Sequence, residues 1–169
     1  FTLDLLELGI IEYITPDHAQ RTTRSPDDPY FTGNMLWGLH NPAGYDVNGP
    51  EAWDITTGDA DNPVVVAVID TGIGYTHNDL AANMWKNPGE VNGVPGVDDD
   101  GNGYVDDIYG INAIANNGNP MDDQANTYHG THCAGTIGAV ANNDRGIVGV
   151  AWDVELMGLK FLSSSGSGW

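Results

Sequence analysis

Pro63-Val64-Val65-Val66-Ala67-Val68-Ile69-Asp70 is the stretch that decides the fold. Its apolar run from Val64 to Ile69 is continuous rather than alternating. That is the pattern of a strand buried on both faces, as strands of a parallel sheet are. Asp70 closes the run, and Thr71-Gly72 follows. Further along, Cys133, Ile137 and Val140 fall at i, i+4 and i+7 and predict a helix from about His129 to Ala141 with one apolar face. Gly130, Ala134, Gly135 and Gly138 lie in the same stretch. The glycines lower helix propensity, which is tolerable where small residues let a helix approach a sheet closely. Asn142-Asn143-Asp144-Arg145-Gly146 breaks the helix, and Val154 to Leu162 reads as a second buried strand. Strand, helix, strand in this order is a βαβ unit with a right-handed crossover. The expected fold class is α/β: a partial doubly wound, mainly parallel sheet with flanking helices.

Upstream of the first strand a short helix is expected at Pro50 to Ile55, with Pro50 at its first position and Gly58 placed to stop it. Phe31, Leu36, Trp37 and Leu39 should pack down within the block Tyr30 to Asn41. Residues 1–13 are acidic and apolar, whereas 14–29 are polar, proline-containing and read as an exposed linker. A length of 169 residues suits one domain or a piece of one, and 40% hydrophobic residues suffice for a core. Five Lys+Arg against 24 Asp+Glu give a net charge of -19, which would be repelled by nucleic-acid phosphates and by anionic membrane surfaces. Neither is expected as a partner. No apolar run approaches the roughly 18 residues of a transmembrane helix. A single cysteine, Cys133, excludes a disulfide within the chain.

In open α/β sheets, ligands bind beyond the carboxyl ends of the strands. Asp70 sits at such an end, and His129 opens the helix that returns to the same sheet. A helix N-terminus disfavours positive charge, so His129 is suited to accept a proton. A carboxylate bonded to its far ring nitrogen would fix the tautomer. Such a pair is two-thirds of a nucleophilic-hydrolase triad. Plainer alternatives are a turn aspartate followed by glycine and a helix-capping histidine. His129 and His132 could also be metal ligands of a hydrolase one turn apart, although no third ligand is placed by the sequence.

Asp98-Asp99-Asp100-Gly101-Asn102-Gly103-Tyr104-Val105-Asp106-Asp107 concentrates five aspartates in ten residues. Charges this dense repel unless a cation sits among them. Asp98, Asp100, Asn102, Gly103 and Asp106 match positions 1, 3, 5, 6 and 9 of an EF-hand-type calcium loop, with Tyr104 offering a backbone carbonyl. Position 12 falls on Tyr109, so Asp107 or a group from elsewhere must complete the shell. The alternative is a solvated acidic loop.

VVVAVIDTGI, His77-Asn78-Asp79-Leu80, HGTHCAGTIGA at 129–139 and GIVGVAWDVELMGLKFL at 146–162 resemble the subtilisin-like serine proteases, the subtilases. The resemblance runs from about Asp28 to Trp169. It implies that Asp70 is the triad aspartate and His129 the general base, with His132 packed and hydrogen-bonded in a structural role. It also places Cys133 as in proteinase-K-like members. The family usually has Pro where Asn78 stands. Its nucleophilic Ser in Gly-Thr-Ser-x-Ala and its oxyanion-hole Asn do not appear, so the chain is expected to be truncated at its C-terminal side and inactive alone. Gly166, Ser167 and Gly168 resemble the family's edge segment, which pairs with an extended peptide substrate. By resemblance alone, Asp79 and Asn143 would be side-chain ligands of a second calcium, with carbonyls of Ala141, Arg145 and Ile147. Residues 8–17 look similar to the last strand of an inhibitory propeptide. That divides the chain into 1–27, propeptide end plus linker, and 28–169, the N-terminal part of the catalytic domain. The family implies a secreted, monomeric, calcium-stabilised endopeptidase acting on proteins or peptides, made as a zymogen with its own propeptide as intramolecular inhibitor. A catalytically dead, calcium-binding adhesion or regulatory domain is the rival.

Overall fold

The computed structural model describes residues 24–124 and 127–168; the expected propeptide strand therefore lies outside the described residues. In chain order these contain α1 (Pro29–Thr32), α2 (Gly49–Ile55), β1 (Val64–Asp70), a 3-10 turn (Ala81–Asn83), β2 (Gly110–Asn112), α3 (His129–Gly138) and β3 (Val154–Lys160). The strands form one parallel sheet in the order β1-β3-β2. β1 aligns with β3 from Val64 opposite Val154 to Asp70 opposite Lys160. β2 aligns with the end of β3, from Gly110 opposite Gly158 to Asn112 opposite Lys160. The parallel sheet with flanking helices agrees with the expected α/β class.

The burial of β1 differs from expectation. Val68 is buried and Val66 half-buried, facing α3, but Val65, Ala67 and Ile69 on the other face are exposed. The apolar run marks both faces as buriable, while the described residues cover only the face on which α3 packs.

α3 ends at Gly138, before the expected Ala141, because Ala139 turns extended at φ −60, ψ 144 and Val140 N–H donates to Asp79 O at 2.9 Å. Its fully buried residues are Gly130, Ala134, Gly135 and Gly138, while Cys133 and Ile137 flank them half-buried. The small residues thus form the seam itself, and the apolar stripe read from the sequence is its border. A Cβ on Gly138 would collide with Val154 of β3. Leu156, Val154, Val68, Ile73, Leu80 and Met84 close the core around this seam.

A second cluster joins Phe31, Trp53 and Val148. Trp53 packs its ring 5.6 Å from Phe31 and 5.1 Å from Trp152, and its Nε1–H donates to Val150 O at 2.8 Å. Trp37, expected to pack with them, is 68% exposed. The polar stretch that reads as a linker packs down at its end, where Pro26 and Asp28 are fully buried. Asp27 N–H donates to Asn142 Oδ1 and Asp28 Oδ2 accepts from Asn142 N–H, so this segment is fastened to the loop after α3.

Candidate active site

The end of β1 and the start of α3 meet through a contact that only glycine allows. Gly72 adopts φ +107, a conformation favouring glycine. A Cβ on Gly130 would strike Gly72 O, and one on Gly72 would strike Pro120 O. Thr71, 1% exposed, accepts the Gly130 N–H on Oγ1 at 2.9 Å. Lys160, buried at the end of β3, donates from Nζ to Thr71 O and to Asp123 Oδ1, the latter at 2.7 Å. The Asp70-Thr71-Gly72 turn is thereby held by a helix, a strand and a loop.

This turn brings Asp70 and His129 together. His129 Nδ1 lies 2.9 Å from both Asp70 Oδ1 and Oδ2, with the carboxylate side chain 13% and the imidazole 62% exposed. Thr71 N–H donates to Asp70 Oδ1 at 2.7 Å. Burial pushes the Asp70 carboxyl up, but hydrogen bonds from His129 and the Thr71 backbone outweigh it and hold the group below its usual range. An ionised carboxylate only accepts, so Nδ1 carries the proton and Nε2 is left as the ring nitrogen able to take another. The pair can therefore serve as a general base for a nucleophile brought to the exposed edge of the imidazole.

Cys133 Sγ lies 3.7 Å from His129 Nδ1 and 4.0 Å from Nε2. Desolvation by burial, followed by the negative charge of Asp70, raises its pKa, so this thiol stays protonated at neutral pH. Alkylation by iodoacetamide is accordingly expected to be several-fold slower at pH 8 than for an ordinary exposed thiol of pKa about 8.5. Mass spectrometry of timed aliquots measures this, and a rate equal to that of a free thiol would contradict the placement.

His132 is exposed and, among the described residues, makes no side-chain hydrogen bond, in contrast to the packed role expected. It stands with Thr136 on the exposed side of α3, opposite the buried seam of Gly130, Ala134, Gly135 and Gly138. Nor does it join any group of three metal-binding side chains among the described residues; His129 groups instead with Asp70 and Cys133. Gly166, Ser167 and Gly168 correct another expectation. Rather than an extended edge, residues 163–167 form a turn closed by Ser163 N–H to Ser167 O at 2.9 Å and Gly166 N–H to Ser163 O at 2.8 Å. Gly166 sits at φ +77 in that turn, and Gly168 runs against Phe161 and Leu162.

In the aspartate loop, Asp98 accepts backbone N–H groups of Gly101 and Asn102 on Oδ1 and of Gly103 on Oδ2. Asn102 Nδ2 donates to Asp100 Oδ2 and Asp107 Oδ2, and its Oδ1 accepts from Tyr104 N–H. Asp107 is buried and also accepts from Asn87 Nδ2 at 2.9 Å. Hydrogen bonding, led by Asn87, keeps the Asp100 carboxyl below its usual range. Asp106 departs from the expected set: at φ +51 its Oδ2 takes the Gly96 N–H at 2.8 Å, turned to a neighbouring loop.

The second pair does come together. Asp79, 5% exposed, accepts from Asn143 Nδ2 at 2.8 Å on Oδ1 and from Ile147 N–H at 3.0 Å on Oδ2. Among the described residues four buried side-chain polar atoms lack a partner, and three are oxygens in these two regions: Asn143 Oδ1, Asp28 Oδ1 and Glu90 Oε2. Asp28 and Glu90 are not singled out by the sequence, since each stands in a loop whose local pattern says nothing of burial. Burial raises the Asp28 carboxyl above its usual value, against the lowering effect of backbone hydrogen bonds from Asn142 and Asn143.

The model of the subtilase family matches residues 61–169, which include β1, α3 and both members of the Asp–His pair. The chain belongs to the subtilase family. It is 46% identical over 129 residues to subtilisin-like protease 1 of Plasmodium vivax, covering 76% of this chain and 19% of that protein. It is 31% identical over 168 residues to the halolysin-like extracellular serine protease Nep of Natrialba magadii, covering 99% of this chain and 26% of the relative. Among solved structures, a protease of Pseudoalteromonas arctica is similar with a TM-score of 0.54 and 36% identity, covering 86% of this chain and 41% of that one. The subtilase chain thus spans about a fifth to a quarter of the length of these two curated relatives.

Proposed function

We propose that these residues supply the Asp–His part of a secreted subtilisin-like serine endopeptidase, with the nucleophilic Ser and the oxyanion Asn contributed from outside residues 1–169. The observation that carries this is the bond from His129 Nδ1 to Asp70, 2.9 Å long, at the junction of β1 and α3 in a subtilase. In this reading His129 Nε2 takes the proton of the serine hydroxyl as it attacks the peptide carbonyl and gives it to the amine that leaves as the acyl-enzyme forms. Nε2 then takes a proton from the water that attacks the acyl-enzyme and returns it to the serine oxygen as the acid is released. Asp70 steadies the imidazolium in both halves of the reaction. The name of the Natrialba relative includes the word extracellular, which supports secretion. Residues 1–27 as a propeptide end, inhibiting the enzyme in cis, rest on the resemblance of residues 8–17.

Calcium is proposed at two places. Asp98, Asp100, Asn102, Asp107 and the Tyr104 carbonyl would hold one ion, and Asp79, Asn143 and the carbonyls of Ala141, Arg145 and Ile147 a second. The buried, unpartnered oxygens in both regions fit a hard cation that accepts oxygen ligands. Bound calcium would supply positive charge where the chain is most acidic and tie loops to the core.

A serine-directed fluorophosphonate probe tests the catalytic reading. It is expected to label the longest product of the gene and to leave the 169-residue chain unlabelled. Labelling of neither, with the gene product folded, would sink the endopeptidase reading in favour of a dead domain.

A further inference from the structure

We propose that Glu90, eight residues upstream of the aspartate loop, is the carboxylate that completes that loop's cation site. The inference rests on the calcium reading of the loop and supplies the ligand that its twelfth position lacks.

Tyr109, which occupies that position, is committed elsewhere, its ring stacked 4.4 Å from Tyr75. Glu90 reaches the loop from the side. The turn at Asn87, closed by Glu90 N–H and Val91 N–H to Asn87 O, places it beneath residues 98–100. Glu90 is 4% exposed. Its Oε1 accepts the N–H groups of Asp99 and Asp100 at 2.8 and 3.1 Å, which fixes the carboxylate plane. Its Oε2 is buried with no partner, and among the described residues Glu90 makes no ion pair. A buried carboxylate oxygen with neither hydrogen bond nor counter-charge is costly, and a cation removes the cost.

The geometry suits one. Single oxygens of Glu90, Asp98 and Asp100 lie within 4.8 Å of one another. Two oxygens bound at about 2.4 Å on opposite sides of a calcium ion are about 4.8 Å apart, so all three can share one ion. Three carboxylates confronting each other call for a divalent, oxygen-preferring cation rather than a monovalent one. Asp106 turns its Oδ2 to the Gly96 N–H of a neighbouring loop and does not join this group of three. The ligand set is therefore Glu90, Asp98 and Asp100, with Asn102, Asp107 and the Tyr104 carbonyl around them.

Terbium luminescence on the full chain tests this, with Tyr104 as the sensitiser. Terbium emission lost in Tyr104→Phe and displaced by calcium reports this loop and not the Asp79 region. Glu90→Gln keeps an Oε1 acceptor for Asp99 and Asp100 but removes the charge. It is expected to weaken calcium at this loop by roughly tenfold or more, with a melting temperature in EDTA no lower than that of the parent chain. Unchanged affinity in Glu90→Gln, alongside weakening in Asp98→Asn, would overturn the role of Glu90 and leave the calcium reading standing. An equal drop in melting temperature with and without calcium would also overturn it, by showing a structural role only. Absence of Tyr104-dependent emission in the parent chain would overturn both.

Discussion

Gly130→Ala is expected to destabilise the chain by roughly 3–5 kcal/mol, an overpacking cost of about 1–3 kcal/mol compounded by a buried donor left unpaired. The added Cβ would overlap Gly72 O, a backbone atom, with Asp70 Cβ at 3.0 Å and Thr71 Oγ1 at 3.1 Å on either side. Gly72 cannot retreat, because it is itself wedged against Pro120 O at φ +107. Relief must come from lifting the start of α3, which breaks the Gly130 N–H to Thr71 Oγ1 bond and parts His129 from Asp70. Against a total stability of about 5–15 kcal/mol for a domain, the loss takes a large share. Gly135→Ala is the control, one turn along the same helix. There the new Cβ meets only Ile147 Cδ1 at 3.3 Å, the far end of a flexible side chain, and alanine gains about 0.8–1.0 kcal/mol of helix propensity. Urea midpoints of the two variants should therefore fall far below and close to that of the parent chain. A Gly130→Ala stability, from midpoint and m-value, within about 1 kcal/mol of the parent would mean that strand end and helix start do not touch.

The same junction shows why part of this protein is legible in its sequence. β1 announces itself because six consecutive apolar residues end at a carboxylate, and α3 because His129-Gly130-Thr131-His132 precedes a run of small residues. Both are contiguous words, and their physical meaning is local: a buried strand, and a helix lean enough to lie against it. The readings that failed depend on distant partners. Whether Val65 and Ile69 are covered is decided by what packs over β1, not by β1. β2 is three residues long, too short to show a period, and owes its place to Gly110 lying against the backbone of Gly158 on β3. Gly166-Ser167-Gly168 reads equally well as an edge or a turn, because glycine permits either. Glu90 and Asp28 are single carboxylates in loops, and only the three-dimensional path that buries them distinguishes them from the many acidic residues at the surface. Asp106 fits the spacing of a calcium loop, yet Gly96 N–H draws it aside. Spacing records which backbone positions could converge and says nothing of competing donors.

Asp70→Asn in the active protease that contains this chain is expected to lower kcat by about 10⁴, close to 5.5 kcal/mol of transition-state stabilisation, with KM changed little. The substitution is nearly isosteric, and Thr71 N–H still finds an acceptor at the Oδ1 position. The amide nitrogen then occupies the place of Oδ2, which lies 2.9 Å from His129 Nδ1. An N–H facing Nδ1 favours the tautomer protonated on Nε2, the nitrogen that must receive the serine proton. Whatever imidazolium forms faces a neutral amide instead of a carboxylate. The effect on stability should be small and carries a defined pH dependence. The Asp70 carboxyl is held below its usual value near 3.9, so the stability it contributes is present above that value and lost as pH falls through the lower, folded-state pKa. The part of the stability difference between parent and Asp70→Asn that comes from the carboxyl's own titration should thus be fully present above about pH 5 and disappear only in acid. A catalytic loss confined to kcat together with an unchanged fold at neutral pH separates a role in proton transfer from one in packing. A variant whose kcat stays within tenfold of the parent would remove Asp70 from the reaction.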